Sequence, residues 1–176
     1  MTNTNKCDRT VILIDGSHVD RLRTKLGRSL DLEKLKDFFG TDDSQAQAIY
    51  YRDARDMDEQ HRLVRFFDWL DRHGIERRGS QDFAEPWYQR ERYGSNLVQL
   101  AADAMDAAQS GAALAILAGD AKLIPLFKRL EDMDVSVTLI SSRAVPASIA
   151  PPPPLINLAE VFIDVNEDAR FFLTDD

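Results

Sequence analysis

Apolar residues along the chain follow two alternating patterns: short continuous runs, and longer stretches in which they recur every three or four residues. The runs are typical of buried parallel strands, and the stretches are typical of helices that cover a sheet. Their alternation predicts an α/β fold of three layers, in which helices cover both faces of a mainly parallel central sheet. The predicted strands are residues 11–14, 47–51, 75–79, 112–117, 135–140 and 161–165, and the predicted helices are residues 31–40, 56–73, 95–108 and 122–132.

The length of 176 residues predicts a single domain over residues 1–176. Residues 1–9 are mostly polar and are expected to form a flexible N-terminus. Four successive prolines at positions 151–154 cannot continue a helix or a central strand. Residues 143–155 are therefore interpreted as an extended, proline-rich connector inside the domain.

The charge balance excludes a broad basic surface for nucleic acid. Lysine and arginine number 22, aspartate and glutamate number 30, and the net charge is −8, so contacts with phosphate are expected to be local. The single cysteine, Cys7, excludes a disulfide-stabilised secreted fold and favours the reducing cytoplasm. The polar first ten residues and the short apolar runs predict neither a signal peptide nor a membrane span.

Acidic residues directly follow two of the predicted strands. Asp15 and Asp120 lie at these strand ends, and Asp103 lies on a polar stripe of the helix 95–108. Ligands of an open parallel sheet bind outside the carboxyl ends of the strands, where carboxylates suit Mg²⁺ or Mn²⁺ and the hydrolysis of phosphodiesters. The alternative is structural, because aspartate beside glycine is also common in turns and at helix N-caps.

Four segments carry a resemblance to a known family: VILIDGSHV, NLVQLAADAM, AILAGDAKLIPLFKRLEDMDVSVTLI and LAEVFIDV. They occur in the order and spacing of NYN domains, over nearly the whole chain. The chain resembles the LabA-like branch of that family, which is itself similar to the PIN nucleases. The resemblance implies a PIN-like or Rossmann-like sheet whose acidic residues cluster at the strand ends, bind Mg²⁺ or Mn²⁺ and cut RNA.

The chain departs from the family pattern in each of three motifs. His18 stands where the first motif, I-D-G-x-N, has asparagine. The middle motif, N-x-D-V-x-L-x-x-D, matches Asn96 and Asp103 only if its first aspartate is deleted. Lys122 replaces the second aspartate of the third motif, S-G-D-x-D-F. A cation at an acidic position lowers the expected metal affinity, so the acidic site is interpreted as partly degenerate.

Individual side chains at these motifs have expected roles, which the resemblance implies for the acids and which the side chains themselves suggest for His18 and Lys122. The expected catalytic residues and metal ligands are Asp15, Asp103 and Asp120, with the Mg²⁺ or Mn²⁺ ion held weakly or lost. The expected contacts with phosphate or substrate are Ser17, His18, Asn96 and Lys122. Two of these have a structural alternative, since His18 can serve a local hydrogen bond and Lys122 can be an exposed lysine of a first helical turn.

The segment 81–93 combines aromatic residues with arginines. Trp87 and Tyr88 offer stacking surfaces for bases, and Arg90 and Arg92 offer contacts with phosphate, as in proteins that bind single-stranded nucleic acid. The alternative is that Trp87 and Tyr88 pack over the helix that begins near Ser95.

Two functions therefore stand side by side. The first is a metal-dependent ribonuclease that hydrolyses phosphodiester bonds of RNA. The second is a catalytically degenerate NYN domain that acts as an RNA-binding or protein-interaction module, which the missing aspartate and Lys122 favour. The expected partners are single-stranded RNA, and a second copy of the chain or another protein.

Overall fold

The computed structural model of the chain describes residues 9–40, 46–79 and 95–174. Its strands are β1 (Thr10–Asp15), β2 (Gln47–Tyr51), β3 (Ile75–Arg78), β4 (Ala113–Leu117), β5 (Val137–Ser141) and β6 (Val161–Asp164). Its α-helices are α1 (Gly16–Leu26), α2 (Leu32–Phe39), α3 (Met57–Arg72), α4 (Leu97–Gln109), α5 (Ile124–Asp132) and α6 (Pro153–Asn157). The six strands form one sheet in the order β3-β2-β1-β4-β5-β6, and every neighbouring pair is parallel.

Side chains of the sheet alternate between two hydrophobic cores. Ile12 and Ile14 of β1 face a core shared with α1, α2 and α3. Val11 and Leu13 face a second core shared with α4, α5 and α6. Because the strands are apolar on both faces, the sheet is covered on both sides, and the predicted three-layer α/β fold is confirmed. The predicted strands and helices occur with ends displaced by at most two residues.

Helix α1 has no counterpart in the prediction, which left a loop after the first strand. Its sequence, GSHVDRLRTKL, is mostly polar, and few apolar positions mark its buried side. Asp15 caps the helix by accepting a hydrogen bond from the Ser17 amide at 3.0 Å. Gly27 ends it in the left-handed conformation, at φ 67°, and donates its amide hydrogen to Arg23. The N-cap and C-cap residues, rather than an apolar pattern, therefore mark where this helix begins and ends.

The proline-rich connector is partly helical, which corrects the predicted extended structure of residues 143–155. Helix α6 has Pro153 and Pro154 in its first turn and Pro152 at its N-cap. Proline is tolerated there because the first amides of a helix have no intrahelical acceptor and the ring already holds a helical φ. Residues 142–152 contain neither helix nor strand. Leu155 is fully buried and attaches the helix to the core beside α5.

The chain after β6 continues in two 3₁₀-helices, Val165–Glu167 and Ala169–Phe171. Val165, Phe171 and Phe172 are buried in the core of α1, α2 and α3, so this segment closes one side of the sheet. No helix among the described residues is long and apolar enough to cross a membrane. The predicted flexible N-terminus, apart from Arg9, and the aromatic segment 81–93 lie outside the described residues.

Candidate active site

The strand order reverses direction between β1 and β4, and this is where open α/β sheets bind ligands. The two strands are parallel neighbours, with Ile14 opposite Leu117. Asp15, at the end of β1, and the Gly119–Asp120 segment beyond β4 therefore lie at the same edge of the sheet. The two acidic strand ends are therefore side by side.

Asp15 is fully buried, and the described residues donate hydrogen bonds to only one of its two carboxylate oxygens. Its Oδ1 accepts from the Ser17 amide at 3.0 Å and from the Ser17 hydroxyl at 2.9 Å. The Ser17 hydroxyl also pairs with the Ser95 hydroxyl at 2.5 Å. Its Oδ2 has no hydrogen-bond partner in the described residues, and the Arg21 guanidinium lies 3.7 Å away. Burial raises the pKa of Asp15, against the opposing effects of the Ser17 hydrogen bond and the Arg21 charge.

His18 is buried and makes a local hydrogen bond, the structural alternative named for it, and its contact with substrate stays a prediction. None of its side chain is exposed, and its Nε2 pairs with the Ser141 hydroxyl at 2.9 Å. A Cβ at Gly119 would lie 2.4 Å from the ring, so the glycine permits this close approach. Burial, together with the charge of Arg21, lowers the pKa of His18 to about 3. The imidazole is therefore neutral near pH 7 and links the end of β5 to the first turn of α1.

Asp120 is half-buried and caps the 3₁₀-helix Ala121–Leu123. Its Oδ1 accepts from the Lys122 amide at 2.9 Å, which leaves the other oxygen outside the cap. The Lys122 side chain is exposed. The structural role predicted as an alternative for Asp120 is thus present, and it does not occupy the whole carboxylate.

Asp103 has partners of its own, the last residue of β2 and the last residue of β3. The Tyr51 hydroxyl donates to Asp103 Oδ2 at 2.6 Å, and Arg78 Nε lies 3.6 Å from the same oxygen. Burial and the Asp103 hydrogen bond both raise the pKa of Tyr51. The described residues hold no group of three or more histidine, cysteine, aspartate or glutamate side chains able to bind a metal ion. The predicted three-carboxylate ligand set is not assembled in this structure.

Asn96 caps the N-terminus of α4. Its side chain accepts from the Gln99 amide at 3.2 Å and donates to Asp53 at 3.2 Å. Asp53 is itself buried and follows β2. Asn96 is therefore an N-cap in this conformation, and a contact with substrate stays a prediction. Arg90 and Arg92 lie outside the described residues.

A buried ion-pair network beside β2 was not predicted. Arg52 contacts Glu59 at 2.8 Å and Asp20 at 3.1 Å. Arg55 contacts Glu59 Oε1 at 3.0 Å, and its amide donates to Glu59 Oε2 at 2.7 Å. Burial acts to raise the pKa of Glu59, but the hydrogen bonds from Arg55 and Arg52 outweigh it and lower the pKa to about 2. Only the four-residue spacing of Arg55 and Glu59 signalled this network in the sequence.

A cavity of about 270 Å³ opens next to Asp15. Ser17, which is hydrogen bonded to Asp15, forms part of its wall. Its charged lining comprises the cations Arg21, Lys25, Arg52 and Arg55 and one carboxylate, Asp20. The excess of positive charge is local, since the whole chain carries −8. The cavity can attract an anion to the buried carboxylate, as the predicted local contacts with phosphate require.

Comparisons with known proteins agree with this architecture. The NYN domain family matches residues 9–166. A crystal structure of a protein of unknown function from Vibrio parahaemolyticus RIMD 2210633 is similar, with a TM-score of 0.72 and 20% identity, and the similarity covers 98% of this chain and 100% of that one. At that identity the likeness concerns the fold. No curated protein matches the chain. Since the family covers the sheet and the strand ends that form the site, the chain belongs to the NYN domain family.

Proposed function

We propose that the protein is a ribonuclease of the LabA-like branch that hydrolyses single-stranded RNA in the cytoplasm and depends on Mg²⁺ or Mn²⁺. NYN domains are PIN-like nucleases, which supports this activity at the level of the family. The observation that carries the proposal is Asp15, a fully buried carboxylate at the point where the strand order reverses, with one oxygen that accepts no hydrogen bond from the described residues. A perturbed carboxylate in such a cleft is characteristic of functional sites.

Asp15 and Asp120 are the residues that would hold the ion. Mg²⁺ takes oxygen ligands, and proteins hold it with one or two carboxylates that are completed by water and by phosphate of the substrate. Asp15 Oδ2, which accepts no hydrogen bond from the described residues, fits this requirement, and Asp120 lies beyond the neighbouring strand. Asp103 Oδ2 already accepts a hydrogen bond from the Tyr51 hydroxyl. When bound, the ion supplies a Lewis acid for the phosphate oxygens and lowers the pKa of a coordinated water.

The surrounding residues orient the carboxylate and hold the substrate. Ser17 and Ser95 fix Asp15 through Oδ1, so that Oδ2 keeps one direction. Arg21 and Lys25, in the cavity beside Asp15, supply positive charge for the phosphates of the strand. The exposed Lys122 adds a cation beyond β4, where the family has an acid. These cations place an anionic strand next to a carboxylate that would otherwise repel it.

The test is to titrate Mn²⁺ into the protein and to follow metal binding and the cleavage of a labelled single-stranded RNA. Asp15→Asn keeps the shape of the side chain and removes its charge, so it is expected to lower Mn²⁺ affinity at least about tenfold and to abolish cleavage. Asp106→Asn is the matched control, because Asp106 is an exposed acid of α4. Equal cleavage by the wild type and Asp15→Asn would contradict the proposal.

A second candidate function is an RNA-binding or protein-interaction module without catalysis. Two observations favour it: Lys122 occupies an acidic position of the family motif, and Asp103 is held by Tyr51. This function predicts RNA affinity that is independent of Mn²⁺ and no cleavage at any metal concentration. The same titration therefore separates the two candidates.

A further inference from the structure

A larger cavity, of about 580 Å³, lies between α1, α3 and the end of the chain. Its apolar lining includes Tyr50 of β2, Leu63, Phe66 and Trp69 of α3, and Leu173. The volume falls within the range of small-molecule sites, and apolar walls with a few polar groups are typical of them. An open cavity of this size, with a mixed apolar and charged lining, is not explained by packing of the core.

Aromatic rings make up much of this lining. Phe66 and Trp69 are nearly parallel, with 10° between their planes and 6.1 Å between centroids. Tyr50 meets Phe66 edge to face at 5.3 Å, and His73 stacks on Trp69 at 4.2 Å. The rings support one another, so their positions are set before a ligand arrives. Such a surface accepts the flat face of a heterocyclic base.

The polar lining carries an excess of positive charge. Its charged residues are the cations Arg23, Arg52, Arg55 and Arg62 and the carboxylates Asp20 and Glu59, a net charge of +2 in a chain of −8. Arginine is well suited to phosphate because its guanidinium can donate two parallel hydrogen bonds. The combination of aromatic rings and arginines complements a base that carries a phosphate.

We infer that this cavity binds one nucleotide of the RNA strand, next to the position where the strand is cleaved; the inference rests on the proposed function and names a contact of its substrate. The base enters the aromatic lining, and its phosphates lie against the arginines. This cavity adjoins the cavity beside Asp15, since Asp20, Arg52 and Arg55 line both of them. A strand that runs from Arg21 to Trp69 therefore follows one continuous basic wall.

The recognition is expected to tolerate any base. Every base has a flat aromatic face, and stacking depends less on sequence than hydrogen bonding to base edges does. The site thus favours single-stranded over double-stranded RNA, because a base in a duplex is not free to enter a cavity.

Arg62→Ala is the first test, with Arg65→Ala as its matched control. Both arginines are exposed on α3, but only Arg62 lines the cavity. Binding of a fluorescein-labelled single-stranded RNA of eight uridines is measured by anisotropy, without divalent metal, at several salt concentrations. Arg62→Ala is expected to weaken affinity about tenfold and to reduce the slope of log affinity against log salt by about one. Arg65→Ala is expected to bind like the wild type.

The place of the base is tested by cross-linking the same RNA with one 4-thiouridine and mapping the attached peptide. The expected peptide comes from α3, which contains Phe66 and Trp69. Cross-links confined to other peptides, no RNA binding by the wild type, or equal binding by Arg62→Ala and Arg65→Ala would each overturn the inference. If Arg62→Ala binds RNA normally and the wild type cleaves it, the nucleotide site is wrong and the proposed ribonuclease activity stands. If Arg62→Ala loses RNA binding and the wild type cleaves nothing at any metal concentration, the nucleotide site stands and the proposed ribonuclease activity is wrong.

Discussion

Asp15 and Glu59 are both buried carboxylates near the carboxyl edge of the sheet, and their surroundings differ sharply. Glu59 receives hydrogen bonds from Arg52 and Arg55 on both oxygens, and they lower its pKa to about 2. Asp15 has one oxygen without a hydrogen-bond partner in the described residues, and burial raises its pKa. Arg21 approaches Asp15 only to 3.7 Å, whereas the Glu59 contacts are as short as 2.7 Å.

The difference separates a structural carboxylate from one that can serve a ligand. A buried group whose hydrogen bonds are complete stabilises the fold, and a buried group left incomplete costs stability until something binds it. Glu59 belongs to the first kind because it joins β2 to α3. Asp15 belongs to the second, and it lies where the fold places ligands. Substitutions at the two positions are therefore expected to have opposite effects on stability.

The largest effect is expected for Glu59→Ala. Removal of the carboxylate leaves the buried Arg52 without its main partner, and breaking one side of a buried ion pair costs about 3–5 kcal/mol. Urea unfolding at pH 7 measures the change. Asp68→Ala, at an exposed position of the same helix, is the control and should stay within about 0.5 kcal/mol of the wild type. A loss below 1 kcal/mol at Glu59 would show that the network is dispensable.

The next effect concerns His18 and appears only in acid. Its pKa is about 3 in the folded protein against 6.5 as an ordinary value, so the unfolded chain binds the extra proton more readily. The stability that neutral His18 contributes is complete above pH 6.5 and is lost as the pH falls towards 3, by about 1.4 kcal/mol per pH unit.

His18→Asn removes this titration and keeps a polar side chain at the position. Between pH 6.5 and pH 5, the wild type should lose about 2 kcal/mol more unfolding free energy than the variant. Parallel curves of stability against pH for the two proteins would show that folding does not lower the pKa of His18.

Asp15→Asn should have a smaller effect of the opposite sign to Glu59→Ala. The raised pKa of Asp15 means that the charged form costs stability above its ordinary titration range, and this cost is present at pH 7. Asparagine keeps the acceptor oxygen for Ser17 without the charge. The free energy of unfolding should match the wild type or exceed it by about 1 kcal/mol. A loss as large as that of Glu59→Ala would place both carboxylates in the structural class.

Much of the fold could be predicted because its strands are continuously apolar and end at turn residues. The runs at 11–14 and 112–117 are buried on both faces of the sheet, which only a covered parallel sheet explains. Helix α1 escaped prediction because its polar sequence has a weak apolar stripe. The start of α6 escaped because consecutive prolines are permitted in a first turn and nowhere else in a helix.

The site was predictable only where the strand ends define it. Asp15 and Asp120 follow from the rule for open sheets, but the direction of Asp103 depends on Tyr51, which is distant in sequence. Helical spacing predicted that Asp103 lies on a polar stripe of the helix, but it could not predict which side chain forms a hydrogen bond with it. The Glu59 network and the burial of His18 likewise depend on side chains from other elements, such as Arg52 and Ser141.

The smallest effect on stability is expected for Lys122→Asp. This variant tests whether the charge beyond the end of β4 controls metal binding at Asp15. Lys122 is exposed, so its replacement should change the free energy of unfolding by no more than about 0.5 kcal/mol. Mn²⁺ affinity should nevertheless rise about tenfold, because a change of two charge units acts on a divalent ion even across about 10 Å of water. Lys128→Asp, at an exposed position of α5, is the control for net charge alone. If cleavage falls in Lys122→Asp while Mn²⁺ binds more tightly, Lys122 contacts the phosphate. If cleavage and Mn²⁺ affinity both rise, the lysine only weakens metal binding. Equal Mn²⁺ affinities of Lys122→Asp and Lys128→Asp would show that Lys122 has no specific influence on Asp15.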